Sequence, residues 1–449
     1  MEIESVGELL YACKENRLKL YKGFGEKTQQ NVIETIEYYL KSKGSFLFSQ
    51  VEALVFPLKS FFTKVFYPHN FQVVGAYARH LESMDAIEIV VDNSLAAIEN
   101  ILSEVVDFEL IEENNDDLLY NTIGSLKIRV YGCDEIPFIK QVFLKNSSVE
   151  FEDFFTKSFP AINYASCENE AAVFEQAGIR FIPAFQREKE SIIEFAKHNQ
   201  LPALLQVSDI KGIIHCHSNW SDGNNTIEQM ATAAIAKGLE YLVISDHSKS
   251  AFYAKGLNEE RIQQQHLYID ELNKKLAPFK IFKSIESDIL NDGSLDYSNA
   301  ILSTFDLVIA SVHSNLKMPQ ERAMMRLMNA IENPYTTILG HLTGRLLLSR
   351  KGYPVDHKKI IDACAANNVV IELNAHPSRL DIDWRHIDYA LQKNVLLSIN
   401  PDAHSIDGFD DVRYGILVAQ KAMLTKAQNL SSFSLKELEL FLDKKKANN

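Results

Sequence analysis

The second half of the chain repeats one pattern, and this pattern restricts the possible fold more than any other feature. After residue 207, seven short β-like runs recur at intervals of about 25–45 residues, with amphipathic helical patterns between them. Strands that alternate with helices predict a parallel sheet, and seven such units predict a closed or nearly closed β/α barrel. The predicted strands cover residues 212–216, 241–245, 281–285, 307–312, 337–340, 369–373 and 395–399.

Each run is followed by a polar or metal-binding side chain, and β/α barrels build their active sites at this end of the strands. A histidine at the end of one strand is more often structural than a ligand. Its recurrence over seven strands, however, indicates a metal site. The candidate ligands are six histidines and three carboxylates: His215, His217, Asp222, His247, Glu286, His313, His341, Asp402 and His404.

Nine protein donors are too many for one ion and suit a cluster of two or three. Three divalent ions would outweigh the three carboxylates and leave a net charge of about +3, which attracts phosphate and stabilises its transition state. Such a cluster also lowers the pKa of a bridging water, so that hydroxide forms near neutral pH. Mixed histidine and carboxylate ligands suit Zn²⁺, Mn²⁺ or Fe²⁺, and the sequence leaves that choice open.

Residues 211–415 resemble the PHP (polymerase and histidinol phosphatase) family, and are most similar to the PHP domain of bacterial family X DNA polymerases. The resemblance implies a distorted (β/α)7 barrel, a three-metal site and phosphoesterase activity. The chain departs from the family's usual residues at Ile213 and His376. The motifs that carry the resemblance include His215-Cys216-His217-Ser218, Ser245-Asp246-His247, Ile285-Glu286-Ser287, Val312-His313-Ser314, His341-Leu342-Thr343-Gly344-Arg345 and Asp402-Ala403-His404.

The same resemblance assigns the nine donors to three ions. It implies one ion held by His215, His217 and Asp402, and a second held by His313 and His341, with Glu286 bridging. The third ion would be held by Asp222, His247 and His404.

The N-terminal region resembles the family more weakly. Two helical stretches, near residues 5–19 and 27–42, flank Lys22-Gly23-Phe24-Gly25-Glu26-Lys27, which looks like a helix-hairpin-helix. The glycines permit a tight hairpin whose N–H groups can meet a DNA phosphate, with Lys22 and Lys27 assisting. A helical packing element without DNA contact is the alternative.

The region that corresponds to the polymerase palm lacks the carboxylates of that family. Family X polymerases use an Asp-x-Asp pair and a third Asp to hold two Mg²⁺ ions. Here the pair reads Ala86-Ile87-Glu88, and Lys127 stands at the third position. Asp85 could substitute only through a one-residue slip, which would turn its side chain to the other face of the strand. We expect a polymerase-like fold without polymerase activity.

Charge and composition exclude several classes of protein. The net charge is −14, and residues 81–120 hold 12 acidic side chains without a single Lys or Arg, so that stretch would repel a phosphate backbone. The sequence contains no apolar run long enough for a transmembrane helix and no signal-peptide pattern. The five cysteines form no CxxC pair, as is typical of reduced thiols. We expect a cytoplasmic protein.

Four regions are predicted: a helix-hairpin-helix or fingers-like region (1–66), a degenerate palm-like α+β domain (67–160), a thumb-like or linking region (161–207) and the PHP domain (208–449). The leading functional hypothesis is a 3′→5′ exonuclease that acts on DNA ends in repair, with single-stranded DNA or 3′ ends as partner. A histidinol-phosphatase-like phosphomonoesterase and a non-catalytic repair scaffold are the alternatives.

Three further residues near the strand ends are candidates for substrate chemistry. Arg345 and Arg379 could bind the substrate phosphate, although a salt bridge on the barrel rim would explain them equally well. His376 is a candidate general acid.

Overall fold

The computed structural model describes residues 3–41, 44–122 and 126–447. They form two compact units. The barrel unit comprises Met1–Ile36 and Leu204–Asn449, and the mixed-sheet unit comprises Glu37–Ala203. The four predicted regions do not coincide with this division and stay a prediction. None of the helices in the described residues is long and apolar enough to cross a membrane.

The N-terminus begins with two helices, α1 (Val6–Lys14) and α2 (Glu26–Lys41), with a single 3-10 turn (Leu18–Leu20) between them. A capping box starts α1: the Ser5 hydroxyl accepts the Glu8 N–H, and the Glu8 carboxylate accepts the Ser5 N–H at 2.8 Å. Because these bonds satisfy N–H groups that lack intrahelical partners, the start of α1 is well defined.

The mixed-sheet unit contains a five-stranded sheet in the order β2-β4-β7-β6-β5. Only β4 and β7 pair in parallel, and their register places Ala86 beside Lys127 and Glu88 beside Arg129. Its elements are β1 (Phe46–Leu47), α3 (Phe48–Phe66), β2 (Phe71–Val74), α4 (Gly75–Ala78), β3 (Ser83–Met84), β4 (Ala86–Val91), α5 (Leu95–Ser103), β5 (Phe108–Glu113), β6 (Asp117–Thr122), β7 (Lys127–Tyr131), α6 (Phe138–Lys145), α7 (Val149–Ser158), α8 (Glu170–Gln176) and α9 (Ser191–Lys197).

The barrel unit confirms the predicted run of seven parallel strands, which pair in sequence order from β8 to β14. Its strands are β8 (Gly212–Cys216), β9 (Tyr241–Ile244), β10 (Lys280–Asp288), β11 (Leu307–Ser311), β12 (Thr336–Leu339), β13 (Val370–Asn374) and β14 (Leu397–Asn400). Its helices are α10 (Ile227–Ala236), α11 (Glu259–Leu276), α12 (Asn299–Leu302), α13 (Gln320–Glu332), α14 (His357–Asn367), α15 (Ile387–Gln392), α16 (Val412–Lys421) and α17 (Leu435–Ala447).

The first and last strands approach each other at their C-terminal ends. The N–H of His217 donates to the carbonyl of Ala403 at 2.8 Å, and the N–H of Ala403 donates to the carbonyl of His215 at 3.3 Å. These bonds nearly close the sheet into a barrel. Leu438 and Leu442 of α17 join a buried apolar cluster with strand residues such as Val243 and Ile309. The strands therefore contribute to an apolar core, while polar side chains gather at their C-terminal ends.

Candidate metal centre

All nine predicted donors lie together at the C-terminal ends of the barrel strands. Eight of them are buried, and 6% of the His313 side chain is exposed. Two of them, His215 (φ +63°) and Asp402 (φ +53°), adopt the left-handed backbone conformation. That conformation is uncommon outside glycine and clusters at functional sites, because the surrounding structure must hold it in place. Parallel strands that end at one edge bring together side chains that are far apart in the sequence.

Glu286, at the end of β10, is the centre of the cluster. One carboxylate oxygen, Oε1, lies 2.9 Å from His341 Nε2 and 3.1 Å from His313 Nε2. The same oxygen lies 3.3 Å from His215 Nε2, and Oε2 lies 3.0 Å from His247 Nδ1. A carboxylate surrounded by four imidazoles can bridge two cations, as expected for Glu286.

The other two carboxylates lie beside the remaining histidines. Asp402 Oδ1 is 3.1 Å from His217 Nε2. Asp222 Oδ1 is 3.3 Å from His404 Nε2, and its Oδ2 is 3.5 Å from His247 Nε2. Eight of the nine donors, all but His341, fall into three sets with geometry suited to an ion: His217, Asp222, His247 and His404; His215, His217 and Asp402; and His247, Glu286 and His313. A fourth such set joins Asp402 and His404 to Glu15.

Several of these donor atoms are buried without a hydrogen bond inside the described part of the chain. They are His215 Nε2, His217 Nδ1, His247 Nδ1, His341 Nδ1, His404 Nε2 and Glu286 Oε2. A buried polar atom without a partner is costly, so this many in one cluster are typical of atoms that bind a metal ion. Imidazole nitrogens and carboxylate oxygens are the donors that Zn²⁺, Mn²⁺ and Fe²⁺ accept. The site therefore fits a cluster of divalent ions, and binding by these residues stays a prediction.

Three further carboxylates orient the histidines from behind. Glu372 Oε2 lies 2.6 Å from His215 Nδ1, and Asp288 Oδ1 lies 2.9 Å from His313 Nδ1. Glu15 Oε2 lies 2.5 Å from His404 Nδ1. For His215 and His313 the carboxylate hydrogen-bonds to Nδ1 and leaves Nε2 facing the cluster, which is the usual arrangement behind metal-bound histidines. His404 Nδ1 hydrogen-bonds to the Asp402 carbonyl at 3.0 Å, and Glu15 adds an ion pair to the same nitrogen.

The sequence predictions omitted these three carboxylates. A signal existed for Glu372, a charged residue within the apolar run 369–373, and for Asp288, which shares a strand face with Glu286. For Glu15 no local signal exists, because an acidic residue after an amphipathic helix is commonplace.

Burial and charge act in opposite directions on this cluster. Burial alone would raise the pKa of Glu286, but His313, His215 and His247 lower it well below its usual value. Burial opposes a proton on His313, yet Glu286 and Asp288 raise its pKa to about 9. For His217, burial and the adjacent His404 and His247 lower the pKa to about 3. Ions that bind such a site displace the protons that its histidines hold.

Asp246 holds the loop that carries Asp222. It accepts hydrogen bonds from the Ser218 N–H at 2.8 Å, from the Ser221 hydroxyl at 2.5 Å and from the Gln265 amide at 2.6 Å. These bonds hold the loop against Asp246.

The two predicted phosphate-binding arginines differ in their surroundings. Arg345 donates to Asp383 at 2.6 Å and to the carbonyls of Arg379 and Leu380, so it forms the rim salt bridge that the sequence left as its alternative. Arg379 is buried and donates to the Tyr11 hydroxyl at 2.9 Å. Its Nη1 makes no hydrogen bond within the described residues, so it is available to an anion.

His376 packs edge-on against Tyr11, and its Nδ1 accepts the Ser378 N–H at 3.2 Å. Burial lowers its pKa to about 3, so the ring is neutral at pH 7. A neutral imidazole has no extra proton to give, and a role as general acid stays a prediction.

Three of the predicted DNA-contact residues lie in the turn before α2, and Lys27 lies in the first turn of that helix. Lys22, Gly23, Gly25 and Lys27 are all exposed, and Gly23 has a φ of +97°. The left-handed backbone favours glycine at that point of the turn. DNA contact by these residues stays a prediction.

In the mixed-sheet unit, Glu88 has structural partners. Its Oε1 accepts the Ala76 N–H at 3.1 Å, and its Oε2 accepts the Tyr131 hydroxyl at 2.8 Å. A Cβ at Gly75 would lie 2.0 Å from Glu88 Oε1, so glycine is required there. Within the described residues, all groups with metal-site geometry lie in the barrel unit.

Comparisons with known proteins agree with this geometry. The PHP domain family model matches residues 214–376. The chain is 31% identical to the DNA polymerase/3′-5′ exonuclease PolX of Bacillus subtilis over 98% of its own length and 80% of that protein.

Other matches cover only part of the chain. A probable phosphatase of Caldanaerobacter subterraneus is 30% identical over 33% of this chain and 56% of its own length. The crystal structure of histidinol phosphate phosphatase from Lactococcus lactis, complexed with zinc, L-histidinol and phosphate, matches with a TM-score of 0.36 and 17% identity. It covers 47% of this chain and 93% of that one.

Proposed function

This chain belongs to the bacterial family X DNA polymerases with a C-terminal PHP domain, and we propose that it is a 3′→5′ exonuclease that removes nucleotides from DNA ends in repair. The PHP domain and the PolX relative make it a hydrolase of the phosphoesterase class. The observation that carries the proposal is the cluster of nine donors at the end of the barrel, of which eight are buried and six atoms lack a hydrogen bond within the described residues.

In this proposal the nine donors hold three ions. Divalent ions there would supply Lewis-acid stabilisation of phosphoryl oxygens and would acidify a water molecule. Arg379 binds a phosphoryl oxygen through its free Nη1, and a planar guanidinium is well suited to that contact. Glu372, Asp288 and Glu15 keep three histidine rings oriented, and the buried surroundings exclude bulk water.

We propose further that the chain does not polymerise DNA. Of the three palm positions, only Glu88 is acidic, and its carboxylate is bound by the Ala76 N–H and the Tyr131 hydroxyl. Arg129 lies beside it in the strand register. One braced carboxylate next to a cation offers no site for two Mg²⁺ ions.

The test is hydrolysis of a 5′-labelled single-stranded oligonucleotide by protein loaded with Mn²⁺ or Zn²⁺, with a primed template and dNTPs in parallel. A ladder of shortened DNA without primer extension is the expected result. His215→Ala should abolish the ladder, whereas His357→Ala, which changes a histidine outside the nine donors, should retain it. A ladder of equal intensity from His215→Ala would contradict the proposed site.

A second candidate function is a small-molecule phosphomonoesterase, which the partial matches to probable phosphatases favour. Phosphate release from monoesters, with the oligonucleotide left intact, would establish this alternative. Phosphomonoesters assayed beside the oligonucleotide therefore distinguish the two activities.

A further inference from the structure

The N-terminal segment, residues 5–21, contacts the metal centre although it lies about 200 residues before the first barrel strand. The structure groups it with the barrel in one compact unit. The contacts form along one side of the segment: Glu8 with Arg350 at 2.6 Å, Tyr11 with Arg379 at 2.9 Å, Glu15 with His404 at 2.5 Å, and Arg17 with Asp222 at 3.2 Å.

Arg17 reaches furthest into the site. Its Nε donates to Asp222 Oδ2 at 3.2 Å, and its Nη2 donates to His247 Nε2 at 3.2 Å. The guanidinium carbon lies 5.3 Å from the centre of the Tyr253 ring, and only 11% of the side chain is exposed. A buried guanidinium thus rests on two of the nine donors.

An ion bound by Asp222 and His247 would compete with Arg17, because the single lone pair of His247 Nε2 cannot bind an ion and accept the Arg17 Nη2–H at once. Like charges at this separation also repel strongly where water is excluded. When the ion binds, Arg17 Nη2 loses its acceptor, and Arg17 Nε shares the Asp222 carboxylate with the ion. A buried guanidinium without acceptors is costly, so it requires an anion in their place.

A cavity of about 190 Å³ lies next to this point. Arg17, Tyr253, His313, Arg350 and Arg379 are among its lining residues. Arg350 is already paired with Glu8, but Arg379 Nη1 has no hydrogen bond within the described residues. Three groups therefore line the same cavity: Arg379, whose Nη1 has no hydrogen bond within the described residues, Arg17, whose guanidinium a bound ion would displace, and the candidate ligand His313.

We propose that Arg17 is a substrate-binding residue of the phosphoesterase site, and that its guanidinium binds a phosphate oxygen once ions occupy the cluster. The N-terminal segment then forms one wall of the catalytic pocket. The proposed ligand is a phosphate group at the end of a nucleic-acid chain. The cavity is smaller than the roughly 300–1,000 Å³ of pockets that bury drug-sized molecules. It therefore admits a terminal phosphate with its ester and excludes a duplex. This inference rests on the proposed phosphoesterase function.

The experiment measures binding of inorganic phosphate to the Mn²⁺-loaded full-length chain by calorimetry. Arg17→Ala and Arg17→Gln should weaken phosphate binding on the order of 10–100-fold, because each removes charged hydrogen bonds. Arg17→Lys keeps the charge without the planar fork and should recover part of the affinity. Lys19→Ala is the matched control, since Lys19 lies in the same segment but pairs with Asn224 at 2.9 Å.

A second readout is Mn²⁺ titration without phosphate, with free Mn²⁺ followed by electron paramagnetic resonance. The affinity of the most weakly bound Mn²⁺ should be at least as high in Arg17→Ala as in the unmodified protein, because the competing guanidinium has been removed. Weaker ion binding would show a structural role and overturn the inference. Unchanged phosphate affinity in all three Arg17 variants would also overturn it, while leaving the proposed function intact if DNA is still hydrolysed. If the unmodified protein neither hydrolyses DNA nor binds phosphate, the proposed function itself is refuted.

Discussion

Glu372→Gln tests whether the carboxylate behind the cluster supports the barrel as well as the site. Glu372 is fully buried on β13, and its two oxygens accept four hydrogen bonds. One oxygen accepts from His341 N–H at 3.0 Å and from the Asn374 amide at 3.0 Å. The other accepts from Asn400 at 2.8 Å and lies 2.6 Å from His215 Nδ1.

The substitution replaces one of these oxygens with an NH₂ group of nearly equal size. Two N–H donors then lose their acceptor, whichever way the amide is oriented. Each buried donor left without a partner costs about 1–3 kcal/mol, so the free energy of unfolding should fall by about 2–6 kcal/mol. That is a large part of the roughly 5–15 kcal/mol by which a domain is stable.

The assay is urea unfolding without added ions, followed by tryptophan fluorescence. Both tryptophans, Trp220 and Trp384, lie in the barrel unit, so the signal reports that unit. Glu439→Gln is the control, because Glu439 forms a partly exposed ion pair with Lys280, and such pairs contribute less than about 1 kcal/mol. A loss for Glu372→Gln no larger than that of the control would refute the reasoning.

Four further predictions follow from the same structure. Glu15→Gln should weaken ion binding about 10–100-fold, measured by Mn²⁺ titration, because Glu15 orients His404; unchanged affinity would contradict that role. Gly75→Ala should destabilise the mixed-sheet unit by about 1–3 kcal/mol through overlap with Glu88, seen as faster hydrogen exchange in β4. Chelation of the ions should lower the thermal midpoint of the barrel unit in differential scanning fluorimetry, since ions that bind only the folded state stabilise it. Burial and the nearby Glu15 raise the pKa of Asp411 to about 7, so the folded state holds a proton that the unfolded chain releases, and stability should fall as pH rises from about 4 to 7. Asp411→Asn should remove that part of the pH dependence in urea unfolding, and an unchanged profile would contradict the raised pKa.

The barrel could be predicted from the sequence because its signals are local. An apolar run of four to six residues, a following polar side chain and an amphipathic helix are all visible in a short window. The predicted strand at 212–216 agrees with the structure at both ends. The largest difference among the strands is in β10, where the structure extends the predicted 281–285 to Lys280–Asp288.

The palm prediction also came from local signals. Glu88 and Lys127 stand where the family has carboxylates, and the strand register of β4 and β7 brings those two strands side by side. The sequence could not show which groups the Glu88 carboxylate binds. Glu88 braces Ala76 and Tyr131, and those contacts exist only in the folded sheet.

The sequence by itself determined which side chains gather at the end of the barrel, because a parallel sheet places every strand's C-terminal end at one edge. Only the tertiary structure decided what surrounds them. Arg17 and Asp222 are 205 positions apart, and His215 and Glu372 are 157 positions apart. No periodicity or spacing relates residues at such distances, because their contact depends on how whole elements pack. Consequently the sequence supplied the candidate ligands, and the fold supplied the carboxylates that orient them and the arginine that lies against them.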